Sequence, residues 1–308
     1  LNMLLAALGD RLGEIRDLIE WDAFCPLLAD LYTNDTTKGG RPNCDVVLMI
    51  RLLVLQHWYE FPDPELERQA TDRISFRHFL GYPETIPIVN IWLFRERLAQ
   101  SGKDTMIWEE FQHQLETRGL TIKRGIIQGA TFITADPGHA SADTPRGDQA
   151  RRGGVAMAPG QSVNGGILFP KNGGIYTAGD KRKIEVAVRL QTHILMDKGC
   201  QLIRRIETTT GSLHDNQIDL SREGETVYRD KGYFGVKPRA SMDKTMHRAV
   251  RGHPLSIKET RRNKAISRTR SLVERSFAMI NRMFHADHLM VTTIARVRVK
   301  NTFSYSDF

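Results

Sequence analysis

Cysteine is scarce in this 308-residue chain: only Cys25, Cys44 and Cys200, far apart and with no CxxC pair. That spacing argues against a zinc ribbon and against a disulfide framework, and it fits a reducing cytoplasm. No apolar run reaches the roughly 18 residues that a transmembrane helix needs. The opening segment LNMLLAALGDRLGEIRD has no positive n-region and gains acids early, so it reads as an amphipathic helix rather than a signal peptide. No GKS or GKT follows Gly165-Gly166 or Gly173-Gly174, so neither glycine pair opens a phosphate loop. His139, His193, His214 and His253 lack HxxxH or HxH spacing, which favours ordinary polar roles over metal ligation. What remains is an ordinary globular composition, 40% hydrophobic and 26% charged. The length suits one large domain or two smaller ones, with ample core.

Charge is present in quantity and unevenly spread. The net charge is +8, yet Arg229 to Lys300 holds 18 Lys/Arg against 5 Asp/Glu, a local +13 that leaves −5 for the rest. A basic C-terminal part beside a mildly acidic remainder suggests a polyanion surface, nucleic acid above all. The plain alternative is a solvated basic face.

Residues 1–120 read as helical. Leu4, Leu5, Leu8, Leu12, Ile15, Leu18 and Ile19 recur at helical spacing. Residues 34–42 form a loop by composition. DVVLMIRLLVLQHWY, from Asp45 to Tyr59, is apolar nearly all round, as in a helix buried at a bundle centre. Asp63 is a candidate N-cap with Pro64 in the first turn, Asn90 could cap a further helix, and Asp104 to Arg118 could form the last. Arg73, Arg77 and His78 beside Phe76 and Phe79 could form a helix-turn-helix-like DNA reader, or belong to a plain bundle with surface arginines.

From Thr121 the period changes. Thr121 to Thr134 is β-rich, His193 to Thr210 reads as a hairpin turning near Lys198-Gly199, and Leu213 to Leu220 could start a short helix, with Asp215 capping it. ETVY reads as a strand, residues 239–262 are polar and hard to place, and Ser267 to Phe284 is helical. The order predicts a mixed α/β domain over 121–308 behind an all-helical one. Residues 149–179 stand apart, with eight glycines, no acid and little periodicity, and read as a disordered or damaged insert.

The segment ETVYRDKGYFG organises this second half. Its short strand delivers Asp230, and Gly232 and Gly235 permit a tight turn immediately after. Glu274 lies 44 residues on, inside a helix that could aim it at the strand tip. Two carboxylates meeting there would hold Mg²⁺, the usual agent of phosphoryl transfer on DNA. Arg270, four residues before Glu274, could clamp a phosphate beside them, or be half of an inconsequential surface ion pair.

VYRDKGYFG, IETTTGSLHDNQ, AVRGHPL and RTRSLVERSFAMINRMFH resemble DDE transposases of bacterial and archaeal insertion sequences, specifically insertion sequence family five. GGRPNCDVVLMIRLLVLQHWYEFPDPELERQATDRISFRHFLG resembles the helical N-terminal domain of that family. The resemblance covers about residues 3–148 and 189–300. It implies a ribonuclease-H-like mixed sheet with flanking helices. It also implies Mg²⁺ or Mn²⁺ as cofactor, two ions in an intact site, with Asp230 and Glu274 as catalytic and metal-ligating residues. Its partners would be double-stranded DNA, namely the element's terminal inverted repeats and the target. The protein would be a homodimer on DNA, in the nucleoid-associated cytoplasm of a prokaryote and away from membranes. Arg270, Arg275, Lys231, Arg73 and Arg77 are then the expected DNA contacts. The family's first aspartate falls on Gly129, since the chain reads IIQGATFITADPGHA where relatives place an acid before ATFI. Ser267 and Asn281 replace a tyrosine and a lysine of the helix signature. Asp136, at an odd offset downstream, is on the wrong face to substitute. The expectation is therefore a degenerate copy with impaired cleavage. The alternatives are a non-catalytic DNA-binding remnant that occupies element ends and, more distantly, an unrelated metal nuclease.

Overall fold

The structure is a computed structural model. It describes residues 10–32, 43–86, 89–122, 124–135, 162–163, 166–170, 186–284, 286–289, 291 and 293–306. The expected loop at 34–42 and Asp136 lie outside these, as does the side chain of Asn90. The chain divides into two compact units, Leu1–Thr121 with Arg298–Asp307, and Ile122–Val297.

The first unit is helical: α1 (Arg11–Leu18), α2 (Phe24–Leu28), α3 (Val46–Tyr59), α4 (Asp63–Asp72), α5 (Ile74–Leu80), α6 (Val89–Ser101) and α7 (Asp104–Thr117). The apolar α3 is its centre, as its sequence predicts. Met49, Ile50, Leu52, Leu53 and Leu55 are fully buried, each such side chain contributing about 1.5–3 kcal/mol. Asp45 starts α3 by accepting hydrogen bonds from the Val47 and Leu48 amides, which lack helical partners. Trp21, Phe24, Phe79 and Phe111 pack edge-on and tilted beside it. Asp63 departs from its expected role as a cap. Pro62 holds the cap position, α4 begins at Asp63, and the carboxylate instead takes hydrogen bonds from Gln56 (2.5 Å) and Arg95 (2.8 Å). A proline N-cap has no side-chain acceptor to offer, and the longer-range partners outbid a local bond.

The second unit is a mixed sheet with helices: β1 (Ile126–Ala135), β2 (Ser162–Val163), β3 (Gly166–Pro170), β4 (Val186–Asp197), β5 (Ile203–Thr210), β6 (Thr226–Arg229), β7 (Met242–Thr245), α8 (Ile257–Phe284), β8 (His288–Leu289) and the start of α9 (Ile294–Tyr305). β1 and β4 pair antiparallel, as do β4 and β5. β6 lies parallel to β1, and β7 parallel to β6. The five main strands therefore run in the order β5-β4-β1-β6-β7. The β4–β5 hairpin turns at 198–202, close to its predicted place.

Three features differ from the sequence reading. Within the glycine-rich 149–179 stretch, β2 and β3 pair with each other and β3 continues onto β4. The polar stretch 239–262 holds a strand, β7, and the first turns of α8. Leu213–Leu220 is only a three-residue 3₁₀ turn, Asp215–Gln217, and Asp215 makes no cap bond there but accepts from Gln191. β7 reads MDKT, and three of its four residues lack the β-branched or aromatic character that marks a strand. Only pairing with β6 fixes it.

α8 crosses one face of the sheet. Val273, Ser276, Phe277, Ile280 and Phe284 are buried beneath it, and Ser276 touches Met196 of β4. No helix among the described residues is long and apolar enough to cross a membrane.

Candidate active site

β6 is four residues long and hydrogen-bonded on both sides. Its carboxyl end delivers Asp230, the position where ligands meet sheets of this kind. Asp230 caps a 3₁₀ turn, Lys231–Tyr233, and its Oδ1 accepts from the Lys231 amide at 2.6 Å. Beneath the turn lies Arg229, fully buried, a residue that periodicity alone gives no reason to single out. Its Nε donates to Thr245 Oγ1 (2.8 Å) and its Nη2 to the Val236 carbonyl (2.7 Å), and it lies over the Tyr233 ring at 5.5 Å. Arg229 thereby ties β6, β7 and the Asp230 turn into one rigid piece.

Arg270 of α8 sits against this turn. Its Nη1 lies 3.3 Å from Asp230 Oδ2 and its Nη2 3.2 Å from Glu274 Oε1. One guanidinium therefore gathers both carboxylates that the sequence nominates. Arg270 is largely buried while the two acids remain open to solvent, with side chains 46% and 63% exposed. The acids can meet a ligand from solution, and the arginine holds their positions from below.

The third corner that the resemblance implies would fall on Gly129. Ile127 pairs with Tyr228 in the parallel β1–β6 register. Continued by two residues, that register sets Gly129 beside Asp230, one strand spacing of about 4.8 Å away. A Cβ built at Gly129 would point at α8, 3.1 Å and 3.3 Å from the two Val273 methyls and 3.2 Å from the Phe277 ring. The glycine thus does two things: it brings no acid, and it lets α8 settle closer to β1 than a side chain would.

The donor set decides what cation fits. Among the described residues no three acidic, histidine or cysteine side chains gather. Asp230 and Glu274 suit one hard cation completed by water and phosphate oxygens; Gly129 has no donor with which to bridge two ions.

The other nominated residues are placed as follows. Lys231 is exposed beside Asp230, and Arg275 is exposed, with a long 3.4 Å contact to the Ser271 carbonyl. In the helical unit, Arg73 lies over the Phe76 and Phe61 rings (5.0 and 5.8 Å) and Arg77 reaches the Pro83 carbonyl (3.4 Å). Phe76, His78 and Phe79 are core, with His78 bound to Asp10 at 3.0 Å. Ser267 is exposed and Asn281 half-buried, both on α8.

On the sheet face opposite α8, the buried His193 bonds Thr209 at 2.9 Å. Burial pushes its imidazole down to about 4, against the opposing pull of Asp215. An unfolded histidine titrates near 6.5, so the unfolded chain takes up a proton here that the native state refuses. The stability contributed by neutral His193 is present above about pH 6.5 and lost as pH falls towards 4. Urea midpoints followed by far-ultraviolet circular dichroism should fall through that window. His193→Gln should flatten the fall, and an unchanged pH profile would refute this assignment.

With this geometry in place, comparison with known families is informative. Residues 167–304 match the family of the transposase DDE domain, and residues 3–97 match the transposase domain DUF772. The matched stretch of the DDE domain contains both Asp230 and Glu274 and begins after Gly129. The chain is also similar to the transposase for insertion sequence element IS1106 of Neisseria meningitidis serogroup B, 25% identical over 204 residues. That alignment covers 62% of this chain and 66% of the relative, just under two thirds of its length. No solved structure matches the chain. The two domain matches and the relative all point to similarity with transposases.

Proposed function

We propose that this protein binds the ends of an insertion sequence and descends from an enzyme that cleaves and transfers DNA strands there, its own cleavage being impaired at Gly129. The observation that carries the reading is the single guanidinium of Arg270 holding Asp230 and Glu274 together at the carboxyl end of β6. The strand order β5-β4-β1-β6-β7, three antiparallel strands followed by two parallel ones, supports a ribonuclease-H-like sheet, and the motif phrases VYRDKGYFG and RTRSLVERSFAMINRMFH support insertion sequence family five. The basic C-terminal part supports DNA as partner. A bound Mg²⁺ or Mn²⁺ would supply Lewis-acid activation of water and charge neutralisation on phosphate. The chain itself positions: Asp230 and Glu274 offer oxygen donors, Arg270 fixes their separation, and Arg229 stiffens the turn. Lys231 and Arg275 are exposed cations beside the carboxylates, suited to backbone phosphates.

The vacant third corner equally favours a remnant that occupies element ends without cutting them. One experiment separates the readings. Duplexes carrying the element's terminal repeats are incubated with the protein and Mg²⁺ or Mn²⁺, and both binding and nicking are measured. Salt-sensitive binding with little or no nicking is expected. Robust nicking would refute impairment, and absence of binding at low salt would refute the DNA reading itself.

A further inference from the structure

A second cluster on the sheet has no role in the chemistry above. Tyr228 of β6 is buried, yet its hydroxyl receives two ammonium groups, Lys198 Nζ at 3.2 Å and Lys244 Nζ at 3.3 Å. Both lysines also lie over its ring, at 4.7 and 5.1 Å. Meeting on one oxygen, the two cations stand at most about 6.5 Å apart, the sum of those two bonds. Among the described residues neither has a carboxylate partner.

The nearby acids are committed elsewhere. Glu225 takes both Nη groups of Arg205, at 2.9 and 2.6 Å, and the Arg222 amide at 2.6 Å. Asp197 Oδ1 accepts from the Gly199 and Cys200 amides of the hairpin. Burial alone would push the Tyr228 phenol up; the two lysines outweigh it and hold it below its ordinary value.

Tyr228 and Lys244 border an open cleft of about 470 Å³, lined also by Arg124, Gly125, Glu225 and Thr226. Gly125 shapes its floor. Its φ is +93°, and a Cβ there would lie 2.9 Å from the Thr226 carbonyl and 3.3 Å from the Tyr228 ring. The cleft therefore has a required backbone, an anchored aromatic and two cations that, among the described residues, no carboxylate pairs.

Position gives the cleft a meaning. Asp230 follows β6 at its carboxyl end, whereas the cleft opens at the amino end of the same strand, beside Gly125, Gly224 and Thr226. Lys244 stands directly beside Tyr228 across the β6–β7 pair. We propose that Lys198, Tyr228 and Lys244 form a phosphodiester-binding subsite at the amino end of β6, which holds the DNA backbone away from the Asp230 and Glu274 end of the strand. The lysines would grip phosphate oxygens as point charges, and the phenol would keep them spread and ready. This inference rests on the DNA reading above.

The test uses the full chain and K198Q/K244Q. Association with a 30-base-pair duplex is measured across a salt series, and lysine NH₃⁺ resonances are followed by NMR as inorganic phosphate is added. The wild type should show phosphate-dependent shifts of Lys198 and Lys244. The double variant should bind duplex about 10- to 100-fold more weakly at low salt, with a log–log slope shallower by about two contacts. K198R/K244R should restore the slope. An unchanged slope in K198Q/K244Q, with wild-type binding intact, overturns the subsite and leaves the DNA reading standing. Phosphate shifts without a slope change reduce the cluster to a small-anion site and overturn the DNA assignment. Failure of the wild type to bind duplex at all overturns both.

Discussion

Replacing Gly129 by aspartate should raise metal-dependent nicking at cognate element ends by more than about 100-fold. Losing a mere supporting partner of a metal ligand typically costs 10–100-fold, so gaining a direct ligand should exceed that range. The added carboxylate would stand beside Asp230 in the β1–β6 register and give the pair a third donor able to bridge two ions. The gain meets an obstacle in packing. The new Cβ would lie 3.1–3.3 Å from Val273 and Phe277, closer than ordinary contact. Val273 is β-branched and stiff, so α8 must shift or strain, at a cost of about 1–3 kcal/mol. Gly129→Asp alone should therefore recover part of the activity and lose thermal stability. Gly129→Asp with Val273→Ala should recover more, because removing the two methyls opens the crowded space. Gel assays of nicking with Mg²⁺ and Mn²⁺, paired with melting curves, check both halves. A well-folded double variant that still fails to nick would show that the vacant corner is not what limits cleavage, and would turn attention to Ser267 and Asn281.

Asp104→Ala should destabilise the helical unit by about 3 kcal/mol. Asp104 is fully buried at the start of α7, and Arg298 grips it with both arms, Nε to Oδ2 at 2.7 Å and Nη2 to Oδ1 at 2.8 Å. Removing one partner of a buried pair strands the other, which typically costs 3–5 kcal/mol. Arg298 is 31% exposed and can turn partly to water, so the lower end applies. The measurement is clean because all four tryptophans, Trp21, Trp58, Trp92 and Trp108, lie in residues 1–121. Their fluorescence during urea unfolding reports on this unit alone. A midpoint shift worth under about 1 kcal/mol would refute a structural role for the pair. Arg298 joins the unit from the far end of the sequence, 194 positions from Asp104, which is why no local pattern announces the contact.

Much of the architecture is legible in residue order. The continuous apolar run of Asp45 to Tyr59 can bury itself only at the centre of a bundle, and it does. The strand ETVY, the hairpin through Lys198-Gly199 and the helix ending at Phe284 all follow from propensity and period. β7 escapes because three of the four residues of MDKT lack strand character, and Asp63 and Asp215 miss their expected caps because Gln56, Arg95 and Gln191 compete for their carboxylates.

The sequence by itself nominated Asp230, Glu274 and Arg270, since a strand, a glycine turn and a helical repeat are local features that nearest neighbours encode. The resemblance to DDE transposases, rather than any local pattern, marked Gly129 as the place where an acid is missing. Only the tertiary structure decided that one buried guanidinium joins the two carboxylates, that Gly129 lies under Val273 and Phe277, and that Lys198 and Lys244 converge on Tyr228. Those contacts join residues 30 and 16 positions apart around Tyr228, and 40 apart between Asp230 and Arg270. Such separations are set by strand pairing and by a helix crossing the sheet, and no local pattern in a chain encodes which distant side chains that packing will bring together.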